Sequence, residues 1–206
     1  MKDNGLFIVL SGCSGVGKGT VQKVVMEKLP NLKFSVSATT RKPRQGEVDG
    51  VNYYFLSKDD FEKKLKNDEF LEHVKLFDNY YGTLYSEIDR NISQGNDMLL
   101  EIDTEGAMNV KKKRPEAVLI FILPPSVDCL CKRLVGRGTE TAESIKLREA
   151  KIKDELKIAE KYDYVVVNDV VETCANEIIN IIKAEKLKTT RNKNKLKLIR
   201  GDETKC

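Results

Sequence analysis

The strongest constraint on this chain is the junction between Leu6-Phe7-Ile8-Val9-Leu10 and Gly12-Cys13-Ser14-Gly15-Val16-Gly17-Lys18. An unbroken apolar run of this kind reads as a strand covered on both faces, because a strand open to water on one side would alternate. Val21, Val24, Val25 and Leu29 then fall at helical spacing until Pro30 stops the helix. A glycine-rich turn between a buried strand and a helix N-terminus points successive backbone N–H groups inward. It adds the positive end of the helix dipole and lets Lys18 reach along a phosphate chain. Gly12, Ser14, Gly15, Val16, Gly17, Lys18, Gly19 and Thr20 are therefore candidate nucleotide-phosphate residues. Gly19 stands where most such loops carry the Ser or Thr that ligates magnesium, with Thr20 next to it. Any Mg²⁺ is expected to be held mainly through nucleotide oxygens and water.

Further buried strands are expected at Met98–Ile102, Val118–Leu123 and Tyr164–Val167, each followed by a helical pattern. A short helix is expected from Ser126 to Leu134. Thr141 is placed to cap a long helix reaching about Tyr162, and Ala175, Ile178, Ile179 and Ile182 mark the last helix against the sheet. Strands alternating with helices predict an α/β fold: a parallel sheet with helices on both faces. The stretch from Ser37 to Arg90 departs from this pattern. It is rich in Tyr, Thr, Arg and Gly, and reads as a small mixed-β insertion with one helix near Lys58–Asn67.

Composition excludes several classes of function. His73 is the single histidine, and the five cysteines (Cys13, Cys129, Cys131, Cys174, Cys206) lack paired metal-ligand spacing, so a zinc site or a histidine-based nucleophile finds no support. No apolar run approaches the roughly 20 residues of a membrane span, and the N-terminus lacks signal-peptide character. A cytoplasmic protein with reduced thiols is expected. Between Lys183 and Cys206 nine Lys/Arg face three Asp/Glu, so this tail carries more than the whole net charge of +4. The basic excess thus marks a tail and not a basic face on the folded body.

Ser37-Ala38-Thr39-Thr40-Arg41-Lys42-Pro43-Arg44 sets two guanidiniums around a proline-stiffened turn. Converging arginines suit a second anionic ligand, although a solvated basic loop fits the local sequence equally well. The wider pattern goes further. FSVSATTRKPRQGEVDGVNYYF, EFLEHV, NYYGT, EIDTEG, PPSVD, KRLVGRGTET and VVVND occur in this order, and with the glycine loop they resemble guanylate kinases over roughly Leu6–Lys186.

That resemblance implies a P-loop nucleoside monophosphate kinase fold. The ATP-binding core would comprise residues 1–36, 91–130 and 151–190, with a GMP-binding insertion at 37–90, a lid at 131–150 and a basic, disordered tail at 191–206. It assigns the GMP phosphate to Arg41, Arg44, Tyr53 and Tyr81, and the guanine base to Ser37, Glu72, Thr83 and Asp103. Glu101 falls near the phosphates and the metal, and Asn168 near the adenine of ATP. Mg²⁺ would be the cofactor, with Thr20, Glu101 and Asp103 as its nearest protein oxygens. ATP and GMP or dGMP would be the partners, with no membrane or nucleic acid, in a monomer or weak homodimer.

The residue types agree with the assignment. Guanine presents two donors, N1–H and the 2-amino group, beside the acceptor O6. A carboxylate at Glu72 accepts both, and hydroxyls at Ser37 and Thr83 donate to O6; taken singly, each is also an ordinary surface polar residue. Arg133, Arg137 and Arg148 surround Gly136-Arg137-Gly138, a segment suited to swing charge over the phosphates. Lys18, Arg41, Arg137 and Arg148 are the expected catalytic cations. A phosphate nucleophile is already ionised and needs no general base. A catalytically silent scaffold module of the same family would lack the glycine loop. A kinase for another small molecule on this fold would lack Glu72, Tyr81 and Thr83.

Overall fold

The computed structural model describes residues 4–76, 78–127, 129, 130 and 154–201. Strand β1 (Phe7–Gly12) leads into helix α1 (Lys18–Lys28) and β2 (Lys33–Phe34). The middle of the chain supplies β3 (Ala38–Thr39), β4 (Tyr54–Phe55), α2 (Lys58–Lys66), β5 (Phe70–Leu76) and β6 (Asn79–Leu84). There follow α3 (Tyr85–Ser93), β7 (Met98–Glu101), α4 (Thr104–Lys113), β8 (Val118–Leu123), β9 (Tyr164–Val167) and α5 (Val171–Leu187). A 3₁₀ turn at Thr189–Arg191 and helix α6 (Lys193–Arg200) complete the order.

Five strands form a parallel sheet in the order β2-β7-β1-β8-β9. Alternate residues of β1 face opposite sides, and both sides are covered. Ile8 and Leu10 pack with Val21 and Val25 of α1 and Ile178 and Ile182 of α5. Phe7 and Val9 pack with Ile88 of α3 and with Ala107 and Val110 of α4. Burial on both faces is why the strand reads as an unbroken apolar run. The expected strands at 118–123 and 164–167 form as read, and the one at 98–102 ends one residue earlier. Edge strand β2 was not legible: two residues with Lys33 exposed leave no pattern, and only the pairing to β7 creates it.

The insertion has its own four-stranded mixed sheet, β4-β3-β6-β5, and its own core of Ala38, Phe61 and Phe70. Ser57 caps α2 by accepting from the Asp60 amide at 3.0 Å, with Asp59 and Asp60 in the first turn and lysines in the last, as the helix dipole favours. The Phe61 ring stacks between Phe70 at 4.2 Å and Tyr80 at 5.3 Å. Two boundaries differ from expectation. The insertion is expected to reach residue 90, whereas α3 begins at Tyr85 and buries Ile88 in the main core, so residue 90 lies inside a helix. The tail expected to be disordered forms α6 over Lys193–Arg200. Its Lys, Leu and Arg residues favour helix, and Gly201 at φ 74° ends it, although no α6 residue is buried.

Replacing Phe61 with Ala should destabilise the insertion by about 3–5 kcal/mol, because it removes the central ring of the stack. Urea unfolding followed by tyrosine fluorescence measures this, since the insertion carries Tyr53, Tyr54, Tyr80 and Tyr81 and the chain has no tryptophan. A loss below about 1 kcal/mol would show that the stack contributes little.

Candidate active site

The glycine loop is held in shape from beneath. Cys13 and Val16 are fully buried in the main core, while Ser14, Gly19 and Thr20 are exposed. Burial pushes the Cys13 thiol up to about 12, so it stays protonated and serves as packing. Gly12 lies so close to β8 that a Cβ there would come within 2.4 Å of the Ile122 carbonyl oxygen. Gly17 precedes α1 with φ 96°, a left-handed conformation that glycine adopts without strain. The Lys18 ammonium donates to the carbonyls of Gly12 at 2.9 Å and Cys13 at 3.3 Å, which folds the side chain back along the loop.

One cavity of about 270 Å³ joins Lys18 to the insertion. Ser37, Tyr53, Glu72, Tyr81, Glu101 and Asp103 line it together with Lys18. Six of the nine residues expected around the second nucleotide thus meet the lysine of the phosphate loop in one space. Tyr53 and Tyr81 meet edge to face with centroids 6.2 Å apart. Glu72 sits opposite Thr83 in the β5–β6 pair, next to a register shift between Phe70 and Glu72. Asp103 caps α4, accepting from the Gly106 amide at 2.8 Å, and a Cβ at position 106 would lie 3.1 Å from Glu72 Oε2. Burial pushes the Glu72 carboxyl up to about 6, opposed by the Thr83 hydrogen bond and reinforced by nearby Asp103. Burial also raises Glu101, and the charge of Lys18 partly offsets this.

Several expected residues take other places. Thr83 is fully buried outside the cavity lining and donates its hydroxyl proton to Glu72 Oε1 at 2.7 Å. A hydroxyl has one proton, and here it is directed at the Glu72 carboxylate, which it orients. Asn168 is 2% exposed at the end of β9. Its side-chain amide donates to the Val16 carbonyl at 2.8 Å, which ties the end of β9 to the glycine loop. Arg41 flanks the cavity, its guanidinium 5.3 Å from the Tyr53 ring centroid. Arg44 is exposed and does not line the cavity. Arg133, Arg137 and Arg148 lie outside the described residues.

Sequence reasoning missed Glu47. Its carboxylate grips Arg41 through both terminal nitrogens, at 2.8 and 2.9 Å. The signal was present: an acid three residues after Arg44, close to the cluster of Arg41, Lys42 and Arg44. Thr39 and Thr40 were also passed over. Their hydroxyls staple the arginine turn to β6, Thr39 donating to the Tyr80 carbonyl at 3.0 Å and Thr40 accepting from the Tyr80 amide at 2.9 Å.

Among the oxygen donors near Lys18, Glu101 fits a hard cation such as Mg²⁺, and its carboxylate lies 3.7 Å from where a Cβ at position 19 would sit. Asp103 shares the cavity, and Thr20 is exposed at the start of α1.

Comparison with known proteins accords with this geometry. A family model described as guanylate kinase matches residues 5–185. A guanylate kinase from Caldanaerobacter subterraneus subsp. tengcongensis is 50% identical over 194 residues, covering 94% of each chain. One from Clostridioides difficile is 50% identical over 190 residues, covering 92% of this chain and 93% of its own. The crystal structure of guanylate kinase from Anaplasma phagocytophilum superposes with a TM-score of 0.76 at 34% identity, covering 99% of both chains. With a phosphate loop and a carboxylate-lined second cavity on this fold, and with relatives at this identity over nearly its whole length, the chain belongs to the guanylate kinase family.

Proposed function

We propose that this protein transfers the γ-phosphoryl group of ATP to GMP, giving ADP and GDP, and that it accepts dGMP in the same way. The observation that carries the reading is the single cavity in which Lys18 of the phosphate loop faces Glu72 of the insertion. The amides and the lysine of residues 12–20 bind the ATP phosphates, and Glu72 selects the acceptor base. A buried carboxylate accepts from N1–H and the 2-amino group of guanine. Adenine would direct a lone pair at it and leave polar groups unpaired, a mismatch that supports discrimination on the order of 10⁴. Ser37 is left as the hydroxyl donor toward O6, with Thr83 and Asp103 holding Glu72 and the first turn of α4 in place.

The nucleophile is a GMP phosphate oxygen, ionised at neutral pH, so the site needs alignment and charge neutralisation and no base. Lys18 and Arg41 supply positive charge from either side, with Arg44, Tyr53 and Tyr81 around the acceptor phosphate. Arg133, Arg137 and Arg148 are read as lid cations that close over the transferring group and exclude water. Mg²⁺ would be held mainly through nucleotide oxygens and water, with Thr20, Glu101 and Asp103 as the nearest protein oxygens; it would neutralise and orient phosphate oxygens. The enzyme is read as cytoplasmic and as a monomer or weak homodimer, without a nucleic-acid partner.

Three outcomes test this. Lys18→Ala should lower kcat by at least about 10²-fold while leaving the melting temperature near that of the parent. Undiminished turnover would remove the phosphate loop from the chemistry. In a coupled assay across GMP, AMP, UMP and CMP, the parent should turn over GMP far faster than the others, and Glu72→Gln should cut kcat/KM for GMP by about 10²-fold or more. Parental efficiency in this variant would refute base reading by Glu72. The pH dependence follows in sign: Glu72 accepts only when ionised, so KM for GMP should be flat above about pH 7 and rise as pH falls through about 6. The nucleotide's own phosphate also titrates near pH 6. Glu72→Gln should therefore flatten the profile to that remaining component, and an unchanged profile would place the titration elsewhere.

A further inference from the structure

The segment from Arg41 to Glu47 holds two arginines and one carboxylate, and the carboxylate contacts both. Glu47 Oε2 accepts from Arg41 Nη1 at 2.8 Å and from the Arg44 backbone amide at 2.7 Å, while Oε1 accepts from Arg41 Nη2 at 2.9 Å. The Glu47 amide returns a bond to the Arg44 carbonyl at 3.0 Å, closing the turn. Arg41 Nη1 also donates to the Lys42 carbonyl at 2.8 Å, and its backbone amide donates to the Thr39 hydroxyl at 3.2 Å. The guanidinium lies against Tyr53 and Phe55, 5.3 and 5.9 Å from their ring centroids. The Arg41 bonds, with the Arg44 amide, hold the Glu47 carboxyl well below the usual range, at about 2. It is therefore ionised throughout the working pH range.

An exposed ion pair between flexible side chains contributes little to stability. This pair differs in geometry. It is bidentate, its side chains are only 15% and 19% exposed, and it ties an arginine side chain to the backbone of the turn that carries a second arginine. Three N–H donors of Arg41 are committed to Glu47 and Lys42, which among the described residues leaves two of the five for a ligand. The guanidinium packs on Tyr53, which lines the cavity together with Tyr81. The arginine is thus fixed in one rotamer with donors to spare. Fixing a long side chain in advance removes an ordering cost that binding would otherwise bear.

We propose that Glu47 is a positioning residue for the acceptor phosphate. It holds the Arg41 side chain and the 41–44 turn ready for the phosphate group of GMP and thereby sets the affinity for that group. The proposal rests on Arg41 being a ligand of that phosphate, as read above. Glu47 touches no substrate; its effect passes through Arg41.

Steady-state kinetics and binding on the full chain test it with Glu47→Gln, Glu47→Asp, Arg41→Met and the double variant Arg41→Met/Glu47→Gln. Glu47→Gln breaks the bidentate pair. It should raise KM for GMP roughly tenfold, with kcat at saturating GMP and KM for ATP within about twofold of the parent. Binding of guanosine, which lacks the phosphate, should not change. Glu47→Asp should recover part of the loss, and it keeps the test open if Glu47→Gln fails to fold. In the Arg41→Met background, Glu47→Gln should add no further increase, because the group it positions is gone. If Arg41→Met leaves KM for GMP unaltered, the reading of Arg41 itself fails. If Arg41→Met raises KM but Glu47→Gln leaves it unaltered or lowers it, the positioning proposal fails and the reading of Arg41 survives. Equal losses for GMP and guanosine would also overturn it, since they would reduce Glu47 to general stability.

Discussion

Burial of β1 on both faces is the constraint from which the rest of the molecule follows. The strand lies between β7 and β8, and every residue from Phe7 to Gly12 is buried. Apolar contacts on two sides fix where its C-terminal end points, and therefore where the glycine loop begins and where α1 starts. Cys13 and Val16 extend the same burial into the loop, and Asn168 reaches across from the end of β9 to the Val16 carbonyl. The phosphate site is thus shaped largely by hydrophobic packing beneath it. The exposed residues of the loop, Ser14, Gly19 and Thr20, owe their arrangement to the buried side chains beneath them.

A second balance operates in the cavity. Glu72, Glu101 and Asp103 share a confined space, which raises the cost of ionising the most buried of them. Glu72 is steadied by the Thr83 hydroxyl and Glu101 by the nearby charge of Lys18, while Asp103 caps α4. The arrangement suits a ligand rich in N–H donors on one side and a cation with phosphates on the other. The same burial that lifts Glu72 toward neutral pH makes any unpaired polar group placed against it costly.

The two bodies of the protein meet within three residues of β5. Phe70 belongs to the small core of the insertion, Leu71 to the main core under the parallel sheet, and Glu72 to the cavity between. Strict alternation along a strand would not send three neighbours to three buried environments. The register shift between Phe70 and Glu72 re-aims them. This small irregularity joins the insertion to the part that holds the glycine loop.

Much of this was readable from local pattern. The apolar run, the glycines and Lys18 determined a glycine loop between a buried strand of a parallel sheet and a helix, because unbroken hydrophobicity and helical spacing are properties of contiguous residues. The family motifs located Glu72, Asp103 and Tyr81, and the cavity collects them. What the linear order could not contain were partnerships set by strand register and by burial. The proton of Thr83 goes to Glu72 because β5 and β6 pair those residues. Asn168 supports the phosphate loop because β9 ends beside it. The α3 helix belongs to the main core because Ile88 is buried there. Residues far apart in sequence acquire roles only when packing decides which polar groups lose water and must find one another, and that decision belongs to the tertiary structure.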